Sequence, residues 1–247
     1  MLKKIILGFF TILFSYFSLT QVASATDENK HKLVGEVGLA VFHNASMTTS
    51  DEGGASLLPY AYATYGDFFA RIDTIGMKVI PVGYGNFEIA TRISLEGYKQ
   101  RNTTSVSKIS NPAPVGISTS QITPYGVFFG HLFYDPNSKG TLFDIAYAAK
   151  FNVGAVSIYP QIGIERRSEK YVQYLYGVNS MNSKSSYTPG ASTGPNIGIT
   201  ADYPLDNKNS VKFNLRKKWF DRNISDSPFI SSKSQTNGFI AITHNFK

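Results

Sequence analysis

The stretch that decides the fold is Phe87-Glu88-Ile89-Ala90-Thr91-Arg92-Ile93-Ser94-Leu95. Read with a period of two, Phe87, Ile89, Thr91, Ile93 and Leu95 share one face. Glu88, Ala90, Arg92, Ser94 and Glu96 share the other. A helix, turning every 3.6 residues, would mix the two sets. The segment is therefore an extended strand with one apolar face and one face of small residues and charges of both signs.

The same rhythm recurs along the chain. Val156, Ile158, Pro160, Ile162 and Ile164 oppose Ser157, Tyr159, Gln161, Gly163 and Glu165. Phe143, Ile145, Tyr147 and Ala149 oppose Asp144, Ala146, Ala148 and Lys150. Val211, Phe213 and Leu215 oppose Lys212, Asn214 and Arg216. Val37, Leu39 and Val41 oppose Glu36, Gly38 and Ala40, and Phe68, Ala70 and Ile72 oppose Asp67, Phe69, Arg71 and Asp73. A soluble β-sandwich also alternates, with its polar face solvated. A membrane barrel alternates because one face meets lipid and the other the lumen. Periodicity alone leaves both open.

The ends and the connections favour the membrane. Lys3 and Lys4 precede an apolar run from Ile5 to Leu19, and Ala23-Ser24-Ala25 supplies the small residues of a cleavage site. This reads as a signal peptide over residues 1–25, because the run is shorter than the ~20 residues of a spanning helix. Residues 26–247 are then one exported β-barrel domain. Cleavage would remove Lys3 and Lys4 and no acidic residue, lowering the net charge from +7 to +5. The basic residues are scattered, with Arg216-Lys217-Lys218 the only run, so no nucleic-acid partner is expected. There is no cysteine, which excludes disulfides, thiolate catalysis and thiolate metal sites.

The pattern predicts twelve strands, with ten as the alternative: 33–43, 56–65, 67–74, 77–82, 87–97, 121–133, 141–151, 155–165, 170–176, 190–203, 210–220 and 236–246. The long polar connections, Asn44–Ala55, Tyr98–Ser120, Gly177–Pro189 and Asp221–Gln235, follow strands one, five, nine and eleven. All lie after odd-numbered strands and hence at one end. Outer-membrane barrels show that asymmetry, with short periplasmic turns and longer outer loops. The chain closes on Gly238 to Phe246, a strand with a near-terminal aromatic, displaced one position by Lys247.

Several segments together resemble the MltA-interacting protein (MipA/OmpV) family of outer-membrane proteins. One is Leu58-Pro59-Tyr60-Ala61-Tyr62, leading into Tyr65-Gly66-Asp67-Phe68-Phe69 and Gly76. A second is Tyr174-Leu175-Tyr176-Gly177-Val178, followed by Ser186-Tyr187-Thr188-Pro189-Gly190-Ala191. A third is Ser227-Pro228 shortly before the closing strand. The match is thin through residues 98–150. The resemblance implies a barrel in outer-membrane lipid. It also implies a scaffolding role that brings a murein transglycosylase together with a murein synthase.

The residues themselves point away from catalysis. The mature histidines are His31, His43, His131 and His244, no serine lies in a recognisable nucleophile motif, and no cluster has metal-ligand spacing. The expectation is a non-enzyme without a cofactor. Two roles stay open. One is a scaffold whose periplasmic contacts would involve Thr26–Lys32 or Arg166-Arg167-Ser168-Glu169-Lys170. The other is a narrow porin-like channel. Its lumen would be lined by Glu36, Arg71, Asp73, Glu88, Arg92 and Glu96 in the first half, and by Asp144, Lys150, Glu165, Lys212 and Arg216 in the second. Structural salt-bridging is the competing reading of those eleven residues.

Overall fold

The computed structural model describes residues 32–48, 53–97, 99–101, 106–178 and 186–246. The signal-peptide assignment, Thr26–His31 and Lys247 lie outside the described residues. Fifteen strands and two helices follow in chain order. The first eight strands are β1 (Leu33–Asn44), β2 (Gly54–Tyr65), β3 (Phe68–Arg71), β4 (Thr74–Val82), β5 (Gly85–Arg92), β6 (Lys99–Arg101), β7 (Val106–Lys108) and β8 (Val115–Thr123). Then come β9 (Gly126–Asp135), β10 (Gly140–Ala149), β11 (Phe151–Val153), β12 (Val156–Arg167) and helix α1 (Glu169–Tyr176). The last are β13 (Ser192–Pro204), β14 (Asn209–Trp219), helix α2 (Arg222–Ser225) and β15 (Ser234–Phe246).

Every pairing is antiparallel, and the sheet closes on itself. From β1 it runs through β2, β3, β4, β5, β8, β9 and β10, then β12 to β15 and back to β1. The barrel has twelve strands. The β1–β15 seam runs from Gly35↔Phe246 to Asn44↔Asn237, and β10 is tied to β12 from Leu142↔Arg167 to Ala148↔Gln161. β11 continues β10 along β12 in the same register, and the break falls where Pro160, which has no N–H, faces β10. β6 and β7 form a separate small hairpin.

Burial is inverted relative to a soluble sheet. At the seam Leu39 pairs with Ile242, and the two side chains are 59% and 63% exposed, whereas the next rung, Ala40 and Ala241, is 1% exposed at both positions. The large aliphatic residues look outward, and small or polar residues look inward. Ile89 is exposed while Glu88 and Ala90 are buried, which is the alternation of the opening segment. Its rhythm continues past the end of β5, because Ile93 and Leu95 remain exposed. Water is absent from hydrocarbon, so an outward aliphatic belt over a closed hydrogen-bond ladder is what a bilayer selects. Tyr65, Phe68, Phe151 and Tyr203 form an exposed aromatic ring on the strands at the short-turn end, as interfacial girdles do.

Two of the sequence-predicted elements are corrected. The predicted strand 121–133 is really the end of β8, a turn at Pro124-Tyr125, and most of β9. The stretch 115–120 reads as loop because the inward residues of β8 are Gly116, Ser118 and Ser120, and the serines are there to bond a carboxylate rather than to pack. The predicted strand 170–176 is helix α1. Tyr and Val favour strands, yet Tyr171, Val172, Leu175 and Tyr176 repeat at helical spacing and all are buried. The two errors cancel in the count. The long connections follow barrel strands β1, β5, β12 and β14, the first, fifth, ninth and eleventh around the chain, so they do share one end. The errors do not cancel between them. The Asp135–Gly140 turn and Arg166–Lys170 move to the long-loop end, away from the periplasmic turns.

An arginine at Leu39 tests the membrane-facing assignment. Placed mid-strand on the lipid face, Leu39→Arg should cost about 2–4 kcal/mol of folding into bilayers. Urea titration of the folded, faster-migrating gel form measures it, and Ala40→Ser on the inward face should cost far less.

Candidate functional site

The buried interior face carries ionic groups in three clusters, stacked from the short-turn end toward the long loops. In the first, Lys212 on β14 places Nζ 2.7 Å from Glu36 on β1 and 2.6 Å from Asp202 on β13. Above it, Phe42, Tyr60 and Phe239 pack as an aromatic knot with Ala40 and Ala241.

The second cluster centres on Glu88, whose side chain is fully buried. Arg71 on β3 donates to both carboxylate oxygens, Nη2 to Oε1 at 2.7 Å and Nη1 to Oε2 at 2.9 Å. Ser118 and Ser120 of β8 donate to the same carboxylate at 2.8 and 3.3 Å. The guanidinium also lies 3.9 Å over the Phe69 ring. A bidentate pair with two further hydroxyl donors is the geometry that makes a buried carboxylate tolerable.

The third cluster crosses the barrel. Arg92 on β5 reaches Asp144 on β10 at 2.8 Å and Glu165 on β12 at 3.9 Å. Arg167 on β12 binds Glu165 at 2.8 Å and returns to Glu96, beyond β5, at 2.6 Å. Lys218 on β14 donates to both oxygens of Glu165 at 3.0 Å. Arg216 donates to Asn196 Oδ1 at 3.0 Å through Nη2. His131 Nδ1 stands 3.6 Å from Asp144. Arg92, Arg167, Arg216 and Lys218 are matched in number by Asp73, Glu96, Asp144 and Glu165, so the cluster carries no net charge.

Helix α1 closes the interior above this cluster. Tyr171, Val172, Leu175 and Tyr176 pack with inward residues of the wall, Phe69, Ala90, Phe133 and Leu142, and with Met47 and Ile224 from the loops. Arg167 Nη1 donates to the Tyr176 hydroxyl at 3.0 Å, and Tyr171 donates to Glu96 at 3.4 Å. Burial pushes the Tyr176 hydroxyl up to about 12, so it stays neutral at physiological pH. Ser168 Oγ accepts from Thr141 N at 2.8 Å and ties the start of α1 to β10.

Of the sequence-predicted residues, Glu36, Arg71, Glu88, Arg92, Glu96, Asp144, Glu165 and Lys212 are brought into ion pairs, and Arg216 is hydrogen-bonded. Two stand apart. Asp73 sits exposed in the β3–β4 turn, 3.9 Å from Arg92. Lys150 is exposed at the short-turn end, with Nζ 5.8 Å from the centre of the Tyr159 ring. Arg167, Lys218, Asp202, His131 and Asn196 were not among the lumen residues expected from the sequence. Arg167 and Lys218 simply continue the polar rows 161-163-165 and 212-214-216 by one more step, which is the signal that could have found them.

A family model described as MltA-interacting protein MipA matches residues 37–246. The chain belongs to the MipA family. The MltA-interacting protein of Escherichia coli (strain K12) is 32% identical over 139 residues, 53% of this chain and 55% of that protein. The outer membrane protein Omp26La of Vibrio anguillarum is 23% identical over 167 residues, 66% of this chain and 63% of that one. The aligned part thus spans little more than half of the first relative and under two thirds of the second. Among solved structures, the outer membrane channel DcaP of Acinetobacter baumannii has a TM-score of 0.37 at 8% identity, covering 87% of this chain and 96% of that one. A loop-deletion mutant of OmpT from Vibrio cholerae has a TM-score of 0.35 at 7% identity, covering 92% and 69%. The barrel stands on its own strand register rather than on these likenesses. This MipA-family chain is an outer-membrane protein.

Within this MipA-family barrel, the second and third segments that carry the sequence resemblance meet around α1, whereas the first lies on β2, β3 and β4. Val178 and Tyr187 are bridged in antiparallel fashion. The Tyr187 hydroxyl donates to the carbonyls of Arg222 and Asn223 at 3.0 and 3.3 Å. Ser227 Oγ donates to the Tyr176 carbonyl at 2.8 Å. Asn223 donates to Ala191 O at 2.8 Å and accepts from Gly190 N at 3.2 Å. These two marks therefore build the loop-end closure, and the first builds part of the wall.

Two substitutions test the interior. Arg71→Met leaves Glu88 buried without its cation and should cost about 3–5 kcal/mol, whereas Arg71→Met with Glu88→Gln should recover most of it in the same urea titration. A Cβ on Gly140 would lie 2.4 Å from Tyr171 N and 2.7 Å from Tyr171 Cβ. Gly140→Ala should thus cost about 1–3 kcal/mol by overpacking and raise protease cleavage near α1.

Proposed function

We propose that this protein is a non-catalytic outer-membrane scaffold, a lipid-embedded anchor for a murein transglycosylase of the kind named by its MltA-interacting relative. A murein synthase is the second partner of the proposed assembly. The observation that supports the reading is the interior. Arg92 spans the interior from β5 to Asp144 and Glu165, three and four strands round the closed sheet, and α1 packs its apolar stripe above them. The lumen-facing residues Glu36, Arg71, Glu88, Arg92, Glu96, Asp144, Glu165, Lys212 and Arg216 then act as structural bracing, with Asp73 and Lys150 at the edges. A barrel filled this way works through its surface.

The surface available to a periplasmic partner is the ring of short turns. Tyr84 and Tyr125 stand out, 74% and 82% exposed, on the β4–β5 and β8–β9 turns. Those turns are joined, because Ile122 N donates to Tyr84 O at 3.2 Å. Exposed aromatics on a rigid frame are the usual energetic anchors of an interface.

Reconstituted in planar bilayers, the protein should pass no steady ion current, and a purified MltA-type transglycosylase should bind it. Tyr84→Ser with Tyr125→Ser should weaken that binding roughly 30-fold, the loss of about 2 kcal/mol expected of an aromatic anchor. A steady current combined with no transglycosylase binding would reverse the assignment in favour of the channel.

A further inference from the structure

The lipid-facing sides of the twelve barrel strands are almost free of charge. Following the alternation of each strand, they carry two full charges among the described residues, Arg166 on β12 and Lys217 on β14. Both are basic, both are exposed, and both lie at the long-loop end. They flank the same strand, since Arg166 pairs with Thr193 and Lys217 with Ile197 of β13. Their backbones are two strand spacings apart and offset by four residues, roughly 16 Å in all. Long basic side chains can shorten that gap from either side.

Among the described residues, no carboxylate pairs with either group. Arg166 Nη1 donates to Thr193 Oγ1 at 3.2 Å, a neutral partner. Lys217 Nζ lies 5.5 Å from the centre of the Trp219 ring, which holds the ammonium beside an aromatic of the interfacial type. The nearby carboxylate of Asp221 is already engaged by Ser192 Oγ at 2.8 Å, Thr193 N at 2.8 Å and Asn223 N at 3.1 Å. A cation on the lipid face is costly in hydrocarbon and tolerated at the interface. Both side chains therefore belong at headgroup level, on the side of the membrane that the long loops face.

We propose that Arg166, Thr193, Lys217 and Trp219 form a docking site for the phosphorylated headgroup of an outer-leaflet glycolipid, with the two cations each taking one phosphate of a diphosphorylated lipid A. Charge complementarity carries the choice of occupant. An apolar wall bounds the site below, two cations with no carboxylate partner among the described residues sit at the depth of the headgroups, and a hydroxyl and an indole lie between them. A guanidinium offers paired donors to phosphate oxygens, and an ammonium a point charge. The acyl chains would run down the aliphatic rows Ile162-Ile164, Ile197-Ile199 and Phe213-Leu215, all exposed.

Native mass spectrometry of the detergent-solubilised barrel, titrated with diphosphoryl lipid A, monophosphoryl lipid A and phosphatidylethanolamine, tests this. The wild-type barrel should retain diphosphoryl lipid A on the order of tenfold better than the monophosphoryl form, as loss of one charge-assisted contact predicts. Arg166→Ser with Lys217→Ser should abolish that preference, and each single change should reduce it. Arg166→Lys with Lys217→Arg should keep most of it. Heat-shifted gel migration confirms that each variant is folded, and Lys170→Ser on α1 serves as the charge control. Equal retention of the three lipids by the wild-type barrel would overturn the proposal, as would an undiminished preference in the double serine variant. Loss of binding in millimolar inorganic phosphate would overturn the lipid assignment in favour of a simple anion site.

Discussion

Everything in this structure follows from the pairing of main-chain N–H and C=O groups where there is no water to replace the partner. Each such group left open in hydrocarbon costs several kcal/mol, so the sheet closes, through the β1–β15 seam and the β10–β12 pairing. The prolines respect the same constraint. Pro160 sits at the one break between β10 and β11. Ala61 O accepts from Ile72 N at 2.7 Å, so the main-chain groups of the odd residues of β2 point away from β1. Pro59 therefore aims its N toward the side where, among the described residues, β2 has no strand neighbour above Tyr62.

Closure creates a second problem, because it makes an inside. The strands alternate, so an aliphatic outer face forces an equal number of inward positions that cannot all be aliphatic without abolishing the contrast that directs the sheet into lipid. The chain fills them with small residues and with charges that cancel. Glu88 receives four donors, and Arg92, Arg167, Arg216 and Lys218 are balanced by Asp73, Glu96, Asp144 and Glu165. Buried ion pairs of this kind add little net stability against well-packed apolar residues. Their use is positional, since each names a strand pair and a height within the barrel. Arg92 and Arg167 go further and link strands that are not neighbours, β5 with β10 and β12 across the interior, which braces the hoop of strands. Helix α1 completes the filling from the loop end.

That division assigns functions to places. With an interior filled by ion pairs and α1, both proposed partners are placed on the outside: the proposed murein enzymes at the periplasmic turns, and the proposed headgroups along the outer rim where Arg166 and Lys217 interrupt an otherwise uncharged wall.

The period-two pattern of Phe87 to Leu95 and its repeats was enough to read strands and faces, because the two sides of each strand meet different surroundings residue by residue. The membrane came from the leader and the alternation of loop lengths, and the family from the tyrosine- and proline-bearing segments outside that rhythm. Most of the interior charges were legible for the same reason, and Arg167 and Lys218 could have been found by extending the rows one step. The sequence misread β8, whose inward serines look like a loop until Glu88 is placed opposite them. It misread α1, whose tyrosines and valine favour a strand until the wall offers a pocket for one helical face. It could not say which charge meets which, nor that Arg166 and Lys217 flank one strand. Those are matters of register and of distance across the barrel, between residues far apart in the chain. Only closure of the sheet brings them together.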